Sequence, residues 1–546
     1  MSAKKRVLII ALDGFTWKLA KPFMNEGVMP NLAKIVRQGS HGNLKSVIPF
    51  ETGPAWSAFQ TGCLPGKTQV FGFHTYNRSK KKVNLNNFSN IAVPSIWELA
   101  DKAGKTVVSL NMPATSPPPK VKGVIIPGLL CPGLSPETVH PPQAYDKYIK
   151  PRKDYLVVNL DEKETVSQLA EQAIATERVR CEVALELMND IDWDLFCVQI
   201  QSSDIFQHKV WWALDSDSPG FTEESRNEAL VFYRYCDDII GRLVDAAGSD
   251  TLKLFASDHG FTMKKGDLGV NRWLYENGYL KHVSKDAPVG FAAVKENLKD
   301  KIPPLKMLAR LYGRAGRCIS NTYKQIRESM QKPGSKRLYA ESLLTHMRTY
   351  VDFEQTRALS VAGMAAVVYV AGNAEERKAL SKELTEKLLG EFGPDSENPV
   401  IASIVPAVEV YGMPEAPDSL PDFVINYVEG FGSRISSGPD SMITGGDYRG
   451  RQQGSHDRNG IFVVNGPGVR RETEFNAEIV DIAPTVLAYL DIAVPRHMDG
   501  KVMNEAFSPG LSVVYEDISY DSSAATEYTD DEQAEVERNL RDIGYL

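Results

Sequence analysis

The sequence VLIIALDG, residues 7–14, decides the fold of this protein. Its first six residues form an apolar run without alternating polar positions, which is typical of a strand buried on both faces of a parallel sheet. The run ends at Asp13-Gly14, where the chain must turn. Comparable short apolar runs follow along the chain at 106–110, 195–200, 252–256, 365–370, 423–425 and 460–464.

Helical patterns alternate with these runs, and the longest of them cover residues 165–189 and 223–247. The alternation predicts an α/β fold with a doubly wound, mostly parallel sheet. Ligands bind such sheets at the carboxyl ends of the strands. Asp13, Asp204 and Asp258 each follow closely after a predicted strand, so we expect them to lie at one edge of the sheet.

The composition is that of an ordinary globular protein: 546 residues, of which 42% are hydrophobic and 24% are charged. These fractions exclude a mostly disordered or fibrous chain. The net charge of −8 argues against nucleic-acid binding through overall charge. The six cysteines are scattered without a CxxC motif, which argues against a disulfide scaffold or a cysteine-based zinc finger.

The amino-terminal apolar run is short for a secretory signal peptide, and no segment reaches the roughly 18 apolar residues of a membrane-spanning helix. We therefore predict a cytoplasmic protein. Its length allows roughly three domains, or one large α/β domain with insertions.

One segment, 285–340, differs from this predicted core because it carries 13 basic and 4 acidic residues. Apolar residues recur within it at roughly helical spacing, which predicts a basic, amphipathic helical insertion that forms a cap. Residues 1–284 and 341–510 are predicted to form the catalytic core around it. The positive charge of such a cap would attract an anionic substrate, and a basic amphipathic helix also suits peripheral contact with an anionic membrane.

The carboxyl-terminal segment, 511–546, is predicted to be an acidic tail. Residues 516–546 contain 10 acidic and 2 basic side chains. Thr529 and Glu532 have the spacing of a capping box, which predicts a short helix that begins at this point.

Seven side chains that are able to bind a metal ion or to take part in catalysis lie near predicted strand ends or in glycine-rich turns. Each has an ordinary explanation when it is taken alone, such as a turn, a cap or a surface pair. Together they provide three carboxylates, three imidazoles and one hydroxyl, and this oxygen and nitrogen set suits two divalent ions, with Zn²⁺ as the first candidate and Mn²⁺ as the alternative. The seven candidates are Asp13, Thr52, Asp204, His208, Asp258, His259 and His456.

The segments that carry these residues resemble, in their order, the alkaline phosphatase superfamily, and most closely its type I phosphodiesterase/nucleotide pyrophosphatase family. The resemblance covers most of residues 5–283 and 346–505, and includes segments without candidate ligands. The matching segments are ALDG (11–14), MPNL (29–32), TGPAWSAFQTG (52–62), SDIFQH (203–208), SDHG (257–260), NRWL (271–274), DFEQT (352–356), GSHD (454–457) and DIAPT (481–485).

The resemblance implies a role for each candidate residue. Thr52 matches the family nucleophile, which implies a phosphothreonine intermediate and activation of the hydroxyl by a bound ion. Two ligand sets are also implied, one of Asp13, Asp258 and His259 and the other of Asp204, His208 and His456.

The chain departs from the family pattern after the nucleophile, where Ala55 and Trp56 stand and an asparagine that binds a phosphate oxygen is absent. Asn111, at the end of another predicted strand, is a substitute candidate for substrate binding. The substrate class implied is an anionic phosphate ester, such as a nucleotide or a phospholipid head group. Nothing in the sequence resembles a nucleic-acid recognition module, so we expect no sequence-specific nucleic-acid binding.

Two related activities remain alternatives to a phosphodiesterase. A phosphomonoesterase would use the same metal site with extra positive groups for a dianionic phosphate. A soluble transferase would pass the phospho-group to an acceptor other than water. A non-catalytic binding protein on the same scaffold is disfavoured, because the nucleophile and ligands are all present.

Overall fold

The computed structural model describes residues 4–158, 165–283, 351–361, 363–413, 417–434, 442–445, 453–520 and 526–543. The predicted basic insertion, 285–340, lies outside these residues. The predicted boundaries of the core therefore remain predictions.

The strands of the described residues are numbered in chain order. They are β1 (Val7–Leu12), β2 (Ser40–Lys45), β3 (His74–Asn77), β4 (Lys82–Leu85), β5 (Val107–Met112), β6 (Gly123–Pro127), β7 (Leu195–Ile200), β8 (Leu252–Ala256), β9 (Gly260–Met263), β10 (Gly266–Leu268), β11 (Ala358–Ser360), β12 (Ala366–Val370), β13 (Ile401–Pro406), β14 (Phe423–Tyr427), β15 (Phe431–Ser433), β16 (Ile443–Gly445), β17 (Gly454–Asp457), β18 (Asn459–Asn465), β19 (Thr473–Glu474), β20 (Ala477–Glu478), β21 (Val494–Pro495) and β22 (Tyr515–Glu516).

The helices of the same residues are numbered in the same way. They are α1 (Trp17–Asn25), α2 (Pro30–Arg37), α3 (Thr52–Thr61), α4 (Pro65–Thr68), α5 (Ile96–Lys102), α6 (Pro142–Ala144), α7 (Val166–Asp190), α8 (Ser202–Leu214), α9 (Glu223–Ala247), α10 (Val270–Glu276), α11 (Ala374–Phe392), α12 (Ala407–Val410), α13 (Ile482–Tyr489) and α14 (Asp530–Asp542). Within the part of the chain that is described, none of them combines the length and the apolar character that crossing a membrane requires.

The largest sheet in the described residues has nine strands in the order β19-β2-β18-β8-β1-β7-β5-β6, and β20 also pairs with β2. β1 lies near its centre and runs parallel to β7 and β8. This sheet confirms the predicted α/β fold with a mostly parallel sheet. β18 is the exception to the parallel order, because it runs antiparallel to both β2 and β8.

The two faces of the sheet bury different side chains of the opening strand. Leu8, Ile10 and Leu12 pack in one hydrophobic cluster with residues of α1, α2, α7, α8 and α9. The alternate residues Val7 and Ile9 pack in a second cluster with residues of α3, α5 and α13. Because helices cover both faces, every residue of β1 is buried, and this burial explains its continuous apolar sequence.

Two of the predicted strands, β12 and β14, do not join the parallel sheet. They lie in a separate four-stranded antiparallel sheet with the order β11-β12-β14-β13. Helix α11 packs against this sheet through residues such as Leu384 and Leu388, which share its hydrophobic cluster. The expectation that these two runs resemble the central parallel strands was wrong, because an apolar run indicates burial but not the sheet to which a strand belongs.

The predicted helix in the carboxyl-terminal tail is present as α14, and Thr529 and Glu532 form the expected capping box. Its residues Val536 and Leu540, and Ile543 directly after it, are buried in the cluster that also contains the four-stranded sheet. The helix is therefore packed against the body of the protein despite the acidic composition of the tail.

Candidate active site and metal centre

The candidate ligands meet at the carboxyl edge of the central strands. Asp13 follows β1, and Asp258 lies two residues after β8. Asp204 is in the first turn of α8, which begins directly after β7. Because β7, β1 and β8 run parallel as neighbours, their ends bring these three carboxylates together. His456 reaches the same edge from β17, where it pairs in register with Phe261 of β9.

The first implied ligand set is compact. Candidate ligand atoms of Asp13, Asp258 and His259 all lie within 4.8 Å of one another. The His259 Nε2 atom is 3.3 Å from Asp258 Oδ2 and 3.7 Å from Asp13 Oδ1. These three buried side chains therefore form one candidate metal-binding group.

The second implied set lies next to the first. Asp204 Oδ1 is 3.4 Å from His208 Nε2 and 3.3 Å from His456 Nε2, and the two Nε2 atoms are 3.0 Å apart. His259 Nε2 is also only 4.0 Å from Asp204 Oδ1. The two sets are thus less separate than the resemblance implied, because His259 lies within reach of both.

The three imidazoles have the same orientation relative to the backbone. The Nδ1 atoms of His208, His259 and His456 lie 3.0, 3.1 and 3.1 Å from backbone carbonyl oxygens. A carbonyl oxygen only accepts, so each Nδ1 carries the proton and donates it. Each Nε2 then presents a lone pair to the carboxylates, and this tautomer is the form in which histidine binds metal ions.

The unsatisfied polar atoms of the site fit a bound cation. Asp13 Oδ1, Asp258 Oδ2 and His259 Nε2 are buried and have no hydrogen-bond partner within the described residues. Buried polar atoms normally have partners, because leaving one unpaired is costly. The other carboxylate oxygens are bonded, since the Gly14 amide donates to Asp258 Oδ1 at 3.1 Å and the Trp56 indole donates to Asp13 Oδ2 at 3.2 Å.

The electrostatics of the site also favour positive charge between the carboxylates. Burial, followed by the charges of Asp258 and Asp204, raises the pKa of Asp13 well above its usual value. Burial and Asp204 raise the pKa of Asp258 to about 7. Burial also acts to raise the pKa of Asp204, but His208 and His456 outweigh it and lower that pKa. A divalent cation among these carboxylates would relieve their mutual repulsion.

Thr52 is the first residue of α3 and is fully buried. Two contacts hold this end of the helix at the ligand cluster. The His456 Nδ1 atom donates to the Phe50 carbonyl at 3.1 Å, and Trp56, one turn after Thr52, donates to Asp13. Thr52 therefore lies between Phe50, which is bonded to the second ligand set, and Trp56, which is bonded to the first. It also lies at the positive, amino-terminal end of a helix, where anions are stabilised.

The residue before Thr52 links α3 to the four-stranded sheet. The buried Glu51 carboxylate accepts hydrogen bonds from the backbone amides of Gly363 and Met364 at 2.9 and 2.6 Å. These amides belong to the connection between β11 and β12, and burial raises the pKa of Glu51. Sequence reasoning missed this residue, because no motif distinguishes a buried glutamate from a surface one.

Asn111 is buried at an irregularity near the end of β5, with a positive φ of 61°. Its side-chain amide donates to Gln199 Oε1 at 3.1 Å, and Gln199 Nε2 in turn donates to Asp13 Oδ2. The predicted substrate-binding role of Asn111 is not tested by these contacts and stays a prediction. Gln199 was missed, although an amide within a buried apolar run is itself a signal that a polar partner is close.

A sequence model of the type I phosphodiesterase/nucleotide pyrophosphatase family matches residues 7–359 of the chain. The protein belongs to this family, within the alkaline phosphatase superfamily. It is therefore a phosphoric ester hydrolase. No curated protein sequence matches the chain.

Solved structures with the same overall fold include human ectonucleotide pyrophosphatase/phosphodiesterase 5. Its TM-score is 0.52 at 13% sequence identity, and the match covers 91% of this chain and 97% of that chain. The murine protein of the same name matches with a TM-score of 0.49 at 12% identity, over 90% of this chain and 96% of its own. At this identity, the human structure supports the fold alone.

Proposed function

We propose that the protein is a two-metal phosphodiesterase or nucleotide pyrophosphatase-like hydrolase with Thr52 as its nucleophile. One observation carries the proposal: three buried carboxylates and three buried imidazoles converge beside the first turn of α3, and three of their ligand atoms have no hydrogen-bond partner in the described residues. Asp13, Asp258 and His259 would hold one cation, and Asp204, His208 and His456 would hold the other.

When bound, two divalent cations, Zn²⁺ or Mn²⁺, would lower the pKa of the Thr52 hydroxyl and offset negative charge on the phosphate oxygens. The Thr52 hydroxyl loses its proton to solvent as Oγ1 attacks phosphorus, the bond from phosphorus to the leaving oxygen breaks, and the leaving oxygen takes up a proton from solvent. Water then attacks the phosphothreonine, and Thr52 regains its proton as its own bond to phosphorus breaks. The amino-terminal end of α3 stabilises the negative phosphate throughout.

The substrate we propose is an anionic phosphate ester, and a diester is favoured over a monoester because no arginine adjoins Thr52 in the sequence. Attraction of this substrate by residues 285–340, contact of those residues with a membrane, and the cytoplasmic location stay predictions. A phosphomonoesterase and a soluble transferase remain the alternatives.

The test compares hydrolysis of bis-p-nitrophenyl phosphate, p-nitrophenyl thymidine monophosphate and p-nitrophenyl phosphate, with Zn²⁺ or Mn²⁺ returned after chelation. We expect faster turnover of the two diesters and two bound ions per chain. Preference for the monoester would replace the diesterase assignment by a phosphomonoesterase. Two bound ions with no turnover of any substrate would favour a transferase of narrow specificity.

The nucleophile is tested by Thr52→Ala, with Thr61→Ala as a matched control. Both threonines lie in α3 and both are completely buried, but Thr61 donates its hydroxyl to the Ser57 carbonyl at 2.7 Å within the helix. Thr52→Ala is expected to abolish turnover while both ions still bind, and Thr61→Ala is expected to keep activity. Substantial turnover by Thr52→Ala would exclude the phosphothreonine intermediate.

A further inference from the structure

We propose that Gln199 is a positioning residue for Asp13. Gln199 holds one oxygen of the Asp13 carboxylate, so that the other oxygen is available to a cation. The inference rests on the proposed two-metal function, and it assigns a task to a residue outside both implied ligand sets.

The sheet register places Gln199 beside Asp13. In β7, Gln199 pairs with Ala11 of β1, two residues before Asp13. On the opposite side of β7, Val198 pairs with Leu110 of β5, so Asn111 is the next residue along that neighbouring strand. Gln199 is completely buried, and all the remaining residues of β7 are buried as well. An amide at such a position is stable only with polar partners on the neighbouring strands.

The hydrogen bonds fix the orientation of the Gln199 amide. A carboxylate that binds a cation is ionised and only accepts, so in that state the Gln199 nitrogen faces Asp13 Oδ2, as the hydrogen bond between these two atoms has it. Gln199 Oε1 then points the other way and accepts from the Asn111 amide nitrogen at 3.1 Å. Asn111 lies at a strand irregularity with a left-handed backbone, a feature that redirects a side chain at a strand end. The hydrogen bonds therefore all run in one direction, with Asn111 donating to Gln199 and Gln199 donating to Asp13.

The two oxygens of Asp13 are consequently not equivalent. Oδ2 accepts from both Gln199 and Trp56, whereas Oδ1 has no hydrogen-bond partner in the described residues. The unpartnered Oδ1 is the atom that lies 3.7 Å from His259 Nε2. Neutral donors on one oxygen thus orient the carboxylate toward the rest of its ligand set without neutralising its charge. Loss of such outer partners typically lowers metal affinity by about 10–100-fold.

The test is Gln199→Met, which keeps the length of the side chain and removes both hydrogen-bonding groups. Metal-free protein is titrated with Zn²⁺ against a chromophoric chelator. We expect wild type to bind two ions and Gln199→Met to bind one of them about 10–100-fold more weakly, with the other unchanged. The visible spectrum of the Co²⁺-loaded protein is expected to change as well, because freeing Oδ2 alters how Asp13 binds the ion.

Gln60→Met is the matched control. Gln60 is equally buried and bonds to the Trp97 indole at 2.8 Å and to the Ala114 carbonyl at 3.4 Å, with no candidate ligand among these partners. Its substitution should leave both Zn²⁺ affinities and the Co²⁺ spectrum unchanged. If Gln199→Met does not fold, Trp56→Phe removes the other donor to the same oxygen and should weaken the same ion.

The outcomes separate this inference from the proposed function. If the wild type binds two ions and Gln199→Met binds both with the same affinities as the wild type, the positioning role alone is overturned. Equal weakening of both ions, or the same weakening in Gln60→Met, also overturns it, since general loosening of the core would then be the cause. Wild type that binds no divalent ion overturns the proposed function together with the inference.

Discussion

Replacing Glu177 by alanine tests how the helix that bears two candidate ligands is held in place. Glu177, on α7, is buried, and its Oε1 atom accepts from Arg180 Nη1 at 2.7 Å, from the Ser202 amide at 2.9 Å and from the Ser202 hydroxyl at 2.6 Å. Arg180 also donates to the carbonyls of Leu156 and Val157 at 3.0 and 2.7 Å. Because Ser202 is the first residue of α8, Glu177 of the neighbouring helix α7 caps the start of α8.

The expected loss of stability follows from the burial of the pair. The side chains of Glu177 and Arg180 are 1% and 2% exposed. Removing one partner of a buried ion pair typically costs about 3–5 kcal/mol, because the other charge stays buried without compensation. The Ser202 amide, left without its acceptor, accounts for about 1–3 kcal/mol within that total. We therefore expect Glu177→Ala to lower the free energy of unfolding by about 3–5 kcal/mol.

Urea denaturation followed by circular dichroism measures this loss, with Glu26→Ala as the control. Glu26 pairs with Arg226 through both carboxylate oxygens at 2.8 and 2.7 Å, but its side chain is 42% exposed. A pair of this kind contributes about 0–1 kcal/mol. Equal losses in the two variants would refute the reasoning, since the larger loss expected for Glu177→Ala comes from the burial of its ion pair and of the Ser202 amide that it accepts from. A Zn²⁺ titration of Glu177→Ala is expected to show weaker binding as well, because α8 carries Asp204 and His208.

Three further outcomes are expected. Removing divalent cations with a chelator should abolish hydrolysis and lower the melting temperature, because an ion that binds only the folded state stabilises it; an unchanged melting temperature would contradict the metal site. Burial lowers the pKa of His74 from 6.5 to about 3. As the pH falls below 6.5, this side chain is therefore protonated in the unfolded chain before it is protonated in the folded protein, and the free energy of unfolding falls by up to about 1.4 kcal/mol per pH unit. His74→Leu should reduce that fall between pH 7 and pH 5 in urea denaturation, and an identical pH dependence in both proteins would exclude the contribution. In α14, Leu540→Ala should cost about 2–5 kcal/mol because Leu540 is fully buried, whereas Glu535→Ala, at a side chain 40% exposed, should change stability by about 0.5 kcal/mol or less; similar effects in the two variants would show that the tail helix does not dock.

Local patterns predicted the elements that carry the site. The apolar run at 7–12 is β1 to the residue, and the helical patterns at 165–189 and 223–247 are α7 and α9 within one residue at each end. The capping box at Thr529 is also present. These features are predictable because burial on both faces of a strand, helical periodicity and a side-chain cap depend on neighbours in the sequence.

The candidate site was predictable as a set of residue types in a characteristic order. Asp13, Asp204 and Asp258 were expected at one edge, and they lie together there because parallel neighbours end on the same side. Gln199 and Glu51 were not predicted. The partners of Gln199 are 88 and 186 residues away in the chain, and those of Glu51 are more than 300 residues away, and no local pattern encodes a contact over such distances.

The sequence by itself determined the strands, the helices and the chemistry available at the strand ends. Only the tertiary structure decided which sheet each strand joined, as β12 and β14 show in the four-stranded sheet and β18 shows by its antiparallel direction. It also decided that His259 lies within reach of both ligand sets, and that Asp13 has one oxygen held and one oxygen available. The physical reason is that strand pairing and hydrogen bonding within a core join residues that are distant along the chain, whereas sequence patterns record only how each segment is buried.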